Sequence, residues 1–90
     1  MSSEKRELFR LAVLRTFDAN NTRFGLTPAA VQHMTAVFGY VNPPIENVRM
    51  EIQYLEDKGH LVEVLKGISP ENRAWRITAQ GRDFLAGRSA

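Results

Sequence analysis

Between Glu4 and about Asn20 no residue breaks a helix, and Leu8, Phe9, Leu11, Ala12, Val13, Leu14 and Phe17 crowd into that one run. At about 100° per residue these seven side chains spread almost all the way round the axis, whereas a helix lying on one side of a core carries a single apolar stripe. The first helix therefore has to be covered on more than one side. A chain of 90 residues offers one compact domain, residues 1–90, with a single shared core, and 1–3 and 88–90 are expected to fray. Hydrophobic residues at 43% and charged residues at 24% are ordinary for a globular protein and disfavour disorder or a coiled coil.

Asn20-Asn21-Thr22 reads as a turn, and Arg23 to Leu26 could pair as a minor strand. Thr27-Pro28 marks a helix start: the threonine hydroxyl can accept an orphan backbone N–H, and proline lacks that N–H. Val31, Met34, Val37 and Phe38 supply the apolar side chains of this second helix, which Gly39 can end. Asn42, before Pro43-Pro44, can cap the next one. There Ile45, Val48, Ile52 and Leu55 are spaced 3, 4 and 3, a narrow stripe on a third helix that runs to Lys58 and stops at Gly59. Leu61–Lys66 and Arg73–Ile77 flank a turn-rich Gly67–Asn72 and make a β-hairpin. Thr78 then caps a short last helix through Phe84 and Leu85, with Gly87 beyond it.

Chemistry-bearing motifs are sparse. The chain has no cysteine, hence no disulfide, thiolate zinc site or thiol nucleophile, a composition that suits a reducing compartment. His33 and His60 fall in different elements, read as a surface residue and a residue at the start of the hairpin, and no metal is expected. The six glycines are scattered, so no phosphate-cradling loop and no cofactor is implied. Glu56 and Asp57 are adjacent on a helix and project about 100° apart, which denies them joint action on one substrate. No catalytic residue is expected. The apolar runs are far below the ~20 residues that span a bilayer, and residues 1–7 lack a signal-peptide core, so a cytoplasmic protein without membrane contact is expected.

Helix, short strand, helix, turn, helix and β-hairpin follow in the order of a winged helix-turn-helix. The expected fold class is thus α+β: a three-helix core, a two- or three-stranded β-wing and a short C-terminal helix. Tyr54-Leu55-Glu56-Asp57-Lys58-Gly59-His60-Leu61-Val62 resembles that superfamily's passage from the recognition helix into the wing. Arg76-Ile77-Thr78-Ala79-Gln80-Gly81-Arg82-Asp83-Phe84-Leu85 resembles its exit into the final helix. A narrower resemblance is to small winged-helix proteins of Mu-like phages and prophages. It rests on Arg10-Leu11-Ala12-Val13-Leu14-Arg15, Phe38-Gly39, Val48-Arg49, Arg76-Ile77-Thr78, Gly81-Arg82-Asp83 and Gly87-Arg88, and it brings no defined activity.

The resemblance implies DNA binding, with the third helix in the major groove, in a transcriptional regulator or phage-related factor. Charge is distributed against it. Residues 1–26 and 61–90 each carry five basic and three acidic side chains, whereas 27–60 carry two basic and four acidic, and phosphate affinity needs cations. Opposite its apolar stripe the third helix offers Glu46, Asn47, Met50, Gln53, Tyr54 and Asp57. Asn47, Gln53 and Glu46 are the expected base contacts to double-stranded DNA, and Arg49, Lys66, Arg73 and Arg76 the backbone contacts. The alternative is a protein-interaction module anchored on Met50 and Tyr54. Trp75 is expected to anchor the hairpin to the third helix. A homodimer through Leu8, Phe9, Val13 and Phe84 would cover the first helix and double a weak DNA footprint.

Overall fold

The computed structural model describes residues 3–65 and 73–89. It is a small α+β unit with four α-helices, α1 (Ser3–Ala19), α2 (Pro28–Met34), α3 (Ile45–Asp57) and α4 (Ala79–Ser89), and a two-stranded antiparallel sheet of β1 (Leu61–Leu65) and β2 (Ala74–Ile77). The expected hairpin tip, and Lys66 with it, lies outside the described residues. Ser3 and Arg88 are both helical, where frayed ends were expected.

Helix α1 passes through the middle of the fold. Phe9, Leu11, Ala12, Val13, Leu14, Thr16 and Phe17 are all buried, because α2, the turn after it, α3, β2 and α4 all pack against α1. Cover on several sides is thus supplied by the chain itself. Phe9 and Val13, expected on a dimer surface, are core residues, and Leu8 and Phe84 alone of the four are exposed. The all-round apolar pattern consequently gives no ground for a second copy.

Most local signals act as their chemistry dictates. The Thr27 hydroxyl accepts from the Ala30 N–H at 3.2 Å, and the Thr78 hydroxyl from the Gly81 N–H at 3.0 Å. Gly39 and Gly59 take left-handed conformations at the helix ends. Four expectations need correction. Helix α2 tightens into a 3-10 turn over Thr35–Phe38, and Val37 is 83% exposed; six residues beyond Val31, it lies about 120° round the axis from it. Thr35 is buried instead, its hydroxyl 3.2 Å from the Gln32 carbonyl and 3.0 Å from that of Tyr40. Asn42 does not cap α3: it sits at φ 53 in the turn, and Pro44 precedes the helix, its carbonyl accepting from the Asn47 and Val48 N–H groups. Finally, α4 continues through Gly87 to Ser89.

The strands pair Leu61 with Ile77 and Val62 with Arg76, and the register shifts at Val64. Of the expected minor strand, Leu26 alone pairs, exchanging two backbone hydrogen bonds with Trp75 at 2.7 and 3.0 Å. This pairing brings Gly25, at φ 72, against the Trp75 carbonyl, which leaves no room for a Cβ. At the other end of the sheet the Thr78 hydroxyl donates to the Gly59 carbonyl at 2.6 Å, and the Thr78 N–H to that of His60 at 3.0 Å. The turn after α3 is thereby tied to the start of α4.

The two glycines of α4 should respond oppositely to alanine. A Cβ on Gly81 would stand 2.5 Å from the His60 carbonyl oxygen and 2.8 Å from Ile77 Cγ1, whereas one on Gly87 meets nothing within 4 Å. Urea unfolding should show Gly81→Ala destabilised by about 1–3 kcal/mol, the usual cost of forcing atoms into a packed interior. Gly87→Ala should be stabilised by about 0.5–1 kcal/mol through its gain in helix propensity.

Candidate macromolecular interface

Helix α3 turns Val48, Ile52 and Leu55 into the core and holds Ile45 half-buried at its start. Glu46, Arg49, Met50, Gln53, Tyr54 and Asp57 are exposed, and Asn47 is half-buried. The residue that pattern reading missed is Glu51, only 3% exposed yet ionisable. Its carboxylate accepts from Arg10 Nε at 2.8 Å and lies 3.8 Å from Arg6 Nε. A signal for this exists in the chain: Glu51 falls three residues after Val48 and four before Leu55, on the inward side, while Arg6 and Arg10 stand one turn apart on α1.

The ion pair positions a further group. The Arg10 guanidinium, fixed by Glu51, lies 3.7 Å from the centroid of the Tyr54 ring, and Lys58 Nζ is 5.7 Å from the same centroid. Tyr54 therefore stands braced by a cation while 39% of it faces solvent, and Met50, one turn earlier, is 52% exposed.

The expected site residues fall on two flanks of α3 rather than on one surface. Asn47 and Gln53 lie about 120° apart round the axis. Asn47 joins Met50, Glu51, Phe9 and Arg6 in a depression against α1. Gln53 and Arg49 face the hairpin instead, across a cleft shared with Arg73 and Trp75. Gln53 donates to Asp57 at 3.0 Å, so its amide is partly engaged within the helix. Glu46 is exposed at the N-terminal end of α3.

The hairpin cations differ in availability. Arg73 makes two hydrogen bonds to Glu63, both at 2.9 Å, and its guanidinium lies 5.0 Å from the Trp75 ring. That carboxylate raises its pKa further and already answers the charge a phosphate would need. Arg49 and Arg76 have no hydrogen bond or ion pair among the described residues; Arg76 projects from the outer face of the sheet beside Val62. Lys66 is outside the described residues. Trp75 anchors the hairpin as expected: it is buried, and its indole N–H donates to Glu56 at 3.1 Å.

His33 is exposed on α2. His60 packs against Phe84 with ring centroids 4.7 Å apart, and its Nδ1 is enclosed without a hydrogen-bond partner among the described residues. Burial, and then the nearby Lys58 charge, hold its pKa below the ordinary 6.5. Among the described residues no three potential ligands gather as a metal site, and no helix is long and apolar enough to cross a membrane. Comparison with family models, curated proteins and solved structures gives no match.

Three measurements check these electrostatics. Arg10→Ala leaves a buried carboxylate with only the longer, half-exposed Arg6 contact at 3.8 Å, and should lower the unfolding free energy by about 3 kcal/mol. Glu51→Gln, which leaves no stranded charge on the inward side, should cost less. For His60, the unfolded chain takes up a proton near pH 6.5 while the folded chain does so only at lower pH. Stability should thus fall as pH drops below about 6.5. An NMR titration should place the His60 pKa below 6.5, and Lys58→Gln should move it upward.

Proposed function

We propose that this chain is a non-catalytic winged helix-turn-helix module that contacts a protein through the α1-side flank of α3. Its element order supports the winged-helix assignment: α1, α2 and α3 are followed by the hairpin as wing and by α4. The observation that carries the protein contact is the presence, one turn apart on this flank, of exposed Met50 and of Tyr54 braced by Arg10, while on the other flank the hairpin's Arg73 is already neutralised by Glu63. Preorganised tyrosine, arginine and methionine side chains are the types that dominate protein interfaces. A DNA reader needs instead a surplus of unengaged cations at its reading head. The resemblance to winged-helix proteins of Mu-like phages and prophages suits an accessory protein of that kind.

DNA binding is the second reading, favoured by the hairpin-side cleft. Arg49 and Gln53 line it together, and Arg49 and Arg76 carry charges unanswered among the described residues. In that case α3 would enter the major groove with Gln53 and Glu46 at base edges. Arg49 and Arg76 would meet phosphates, and the protein would act as a regulator or a phage-related DNA-binding factor.

The two flanks make the readings separable. Met50→Ser with Tyr54→Ser should abolish capture of a partner protein and leave the melting curve in place, while Arg49→Ala with Arg76→Ala should leave capture intact. Wild-type titrations on random duplex at two salt concentrations should show little affinity. Salt-dependent duplex binding that the arginine pair loses, and the Met50/Tyr54 pair keeps, would transfer the function to DNA, with the salt slope falling by about one unit per lost phosphate contact.

A further inference from the structure

Behind Tyr54, on the side away from the hairpin, α1, the end of α3 and α4 enclose a cleft of about 430 Å³. Its floor is made of the buried side chains Leu11, Leu14 and Leu55, and two half-covered rings, Tyr54 and Phe84, stand over it. Water in contact with such a lining is readily displaced by an apolar body, and the volume lies in the range of small-molecule sites, about 300–1,000 Å³.

The rim is charged, and the charges do not cancel. Arg10 is held by Glu51, and Arg88 lies 3.6 Å from Glu7. Lys58 has no carboxylate partner among the described residues, and it shares the rim with both arginines. His60, disfavoured as a cation by its burial, adds no further positive charge to the rim. The mouth therefore carries a surplus positive charge directly above an aliphatic and aromatic floor.

The lysine also stands on fixed backbone. Gln80 donates to the Lys58 carbonyl at 2.9 Å, and the Thr78 hydroxyl holds the next carbonyl, that of Gly59. The wall opposite is set by Phe84 packed on the His60 ring. The point from which the lysine side chain reaches over the apolar surface is thus fixed, while its flexible stem lets the ammonium adjust to a ligand.

We infer that this cleft binds a small amphipathic carboxylate, an aryl or medium-chain alkyl acid, with its carboxylate at Lys58 and Arg88 and its apolar body against Leu11, Leu55 and the two rings. A bare phosphate would leave the floor wetted, and a neutral hydrocarbon would leave the lysine unanswered. The site uses α1, α4 and the last turn of α3; it shares Tyr54 and Arg10 with the flank proposed to contact a protein, whereas Lys58, Phe84 and Arg88 belong to the cleft alone.

The full chain, isotopically labelled and without any partner, should be titrated with 1-naphthoate, decanoate and, as the uncharged control, 1-naphthalenemethanol. Saturable one-to-one shifts are expected at amides of the α3–β1 turn and of α4 for both acids. The alcohol should bind about tenfold more weakly or worse, and Lys58→Gln should weaken the acids about tenfold at an unchanged melting temperature, as expected for loss of one charge-assisted contact. Equal affinity for naphthoate and the alcohol, shifts centred elsewhere, no saturation by either acid up to about 5 mM, or full affinity in the folded Lys58→Gln variant would each overturn the assignment.

Discussion

One buried carboxylate organises the surface of this protein. Glu51 faces inward from α3 toward α1, and an ionised group in that position needs an answering charge or it opposes folding. Arg10 supplies it, and α1 and α3 are joined by a directional contact in addition to the apolar packing around Val48, Ile52 and Leu55. Because the guanidinium is planar, its hydrogen bond to Glu51 leaves a flat face free to lie on Tyr54. A packing requirement in the interior thus determines which aromatic ring is stiffened at the surface.

Under the proposed protein contact, that coupling would link folding to recognition. A tyrosine that is already braced gives up little rotamer freedom when a partner covers it, so more of its contact energy is available for binding. Arg73 illustrates the opposite use of an arginine. Paired with Glu63 across the hairpin, it stabilises the strands and loses its value as a phosphate contact. Cations counted along the chain as available for DNA are distributed by the fold between structure and surface.

Helix α4 has two functions in the architecture. Gly81 lets its first turn approach the His60 carbonyl, and this closeness, together with the Thr78 and Gln80 hydrogen bonds, ties the turn after α3 to the C-terminal helix. The same closeness places Phe84 on the imidazole and forms a wall of the cleft behind Tyr54. Exposed Gly87, by contrast, is under no packing constraint.

The succession of helices and strands was legible in the chain because it is written in local chemistry: Thr27-Pro28 and Thr78 as starts, Gly39 and Gly59 as stops, and the Ile45, Val48, Ile52, Leu55 stripe as an inward face. The demand that the first helix be covered on several sides was legible too, though its source was not. Periodicity reports that a side chain is buried and is silent on whether its neighbour belongs to the same chain, which is why Phe9 and Val13 could be taken for a dimer surface. The proposed contact residues were named one by one, but their division into two flanks follows from the roll of α3 against α1 and the hairpin. The pairings of Glu51 with Arg10, Arg73 with Glu63 and Glu56 with Trp75 span 41, 10 and 19 positions. Only tertiary structure decides which charges meet at such separations, because the energy of an ion pair depends on distance and burial in space and leaves no periodic trace in the sequence.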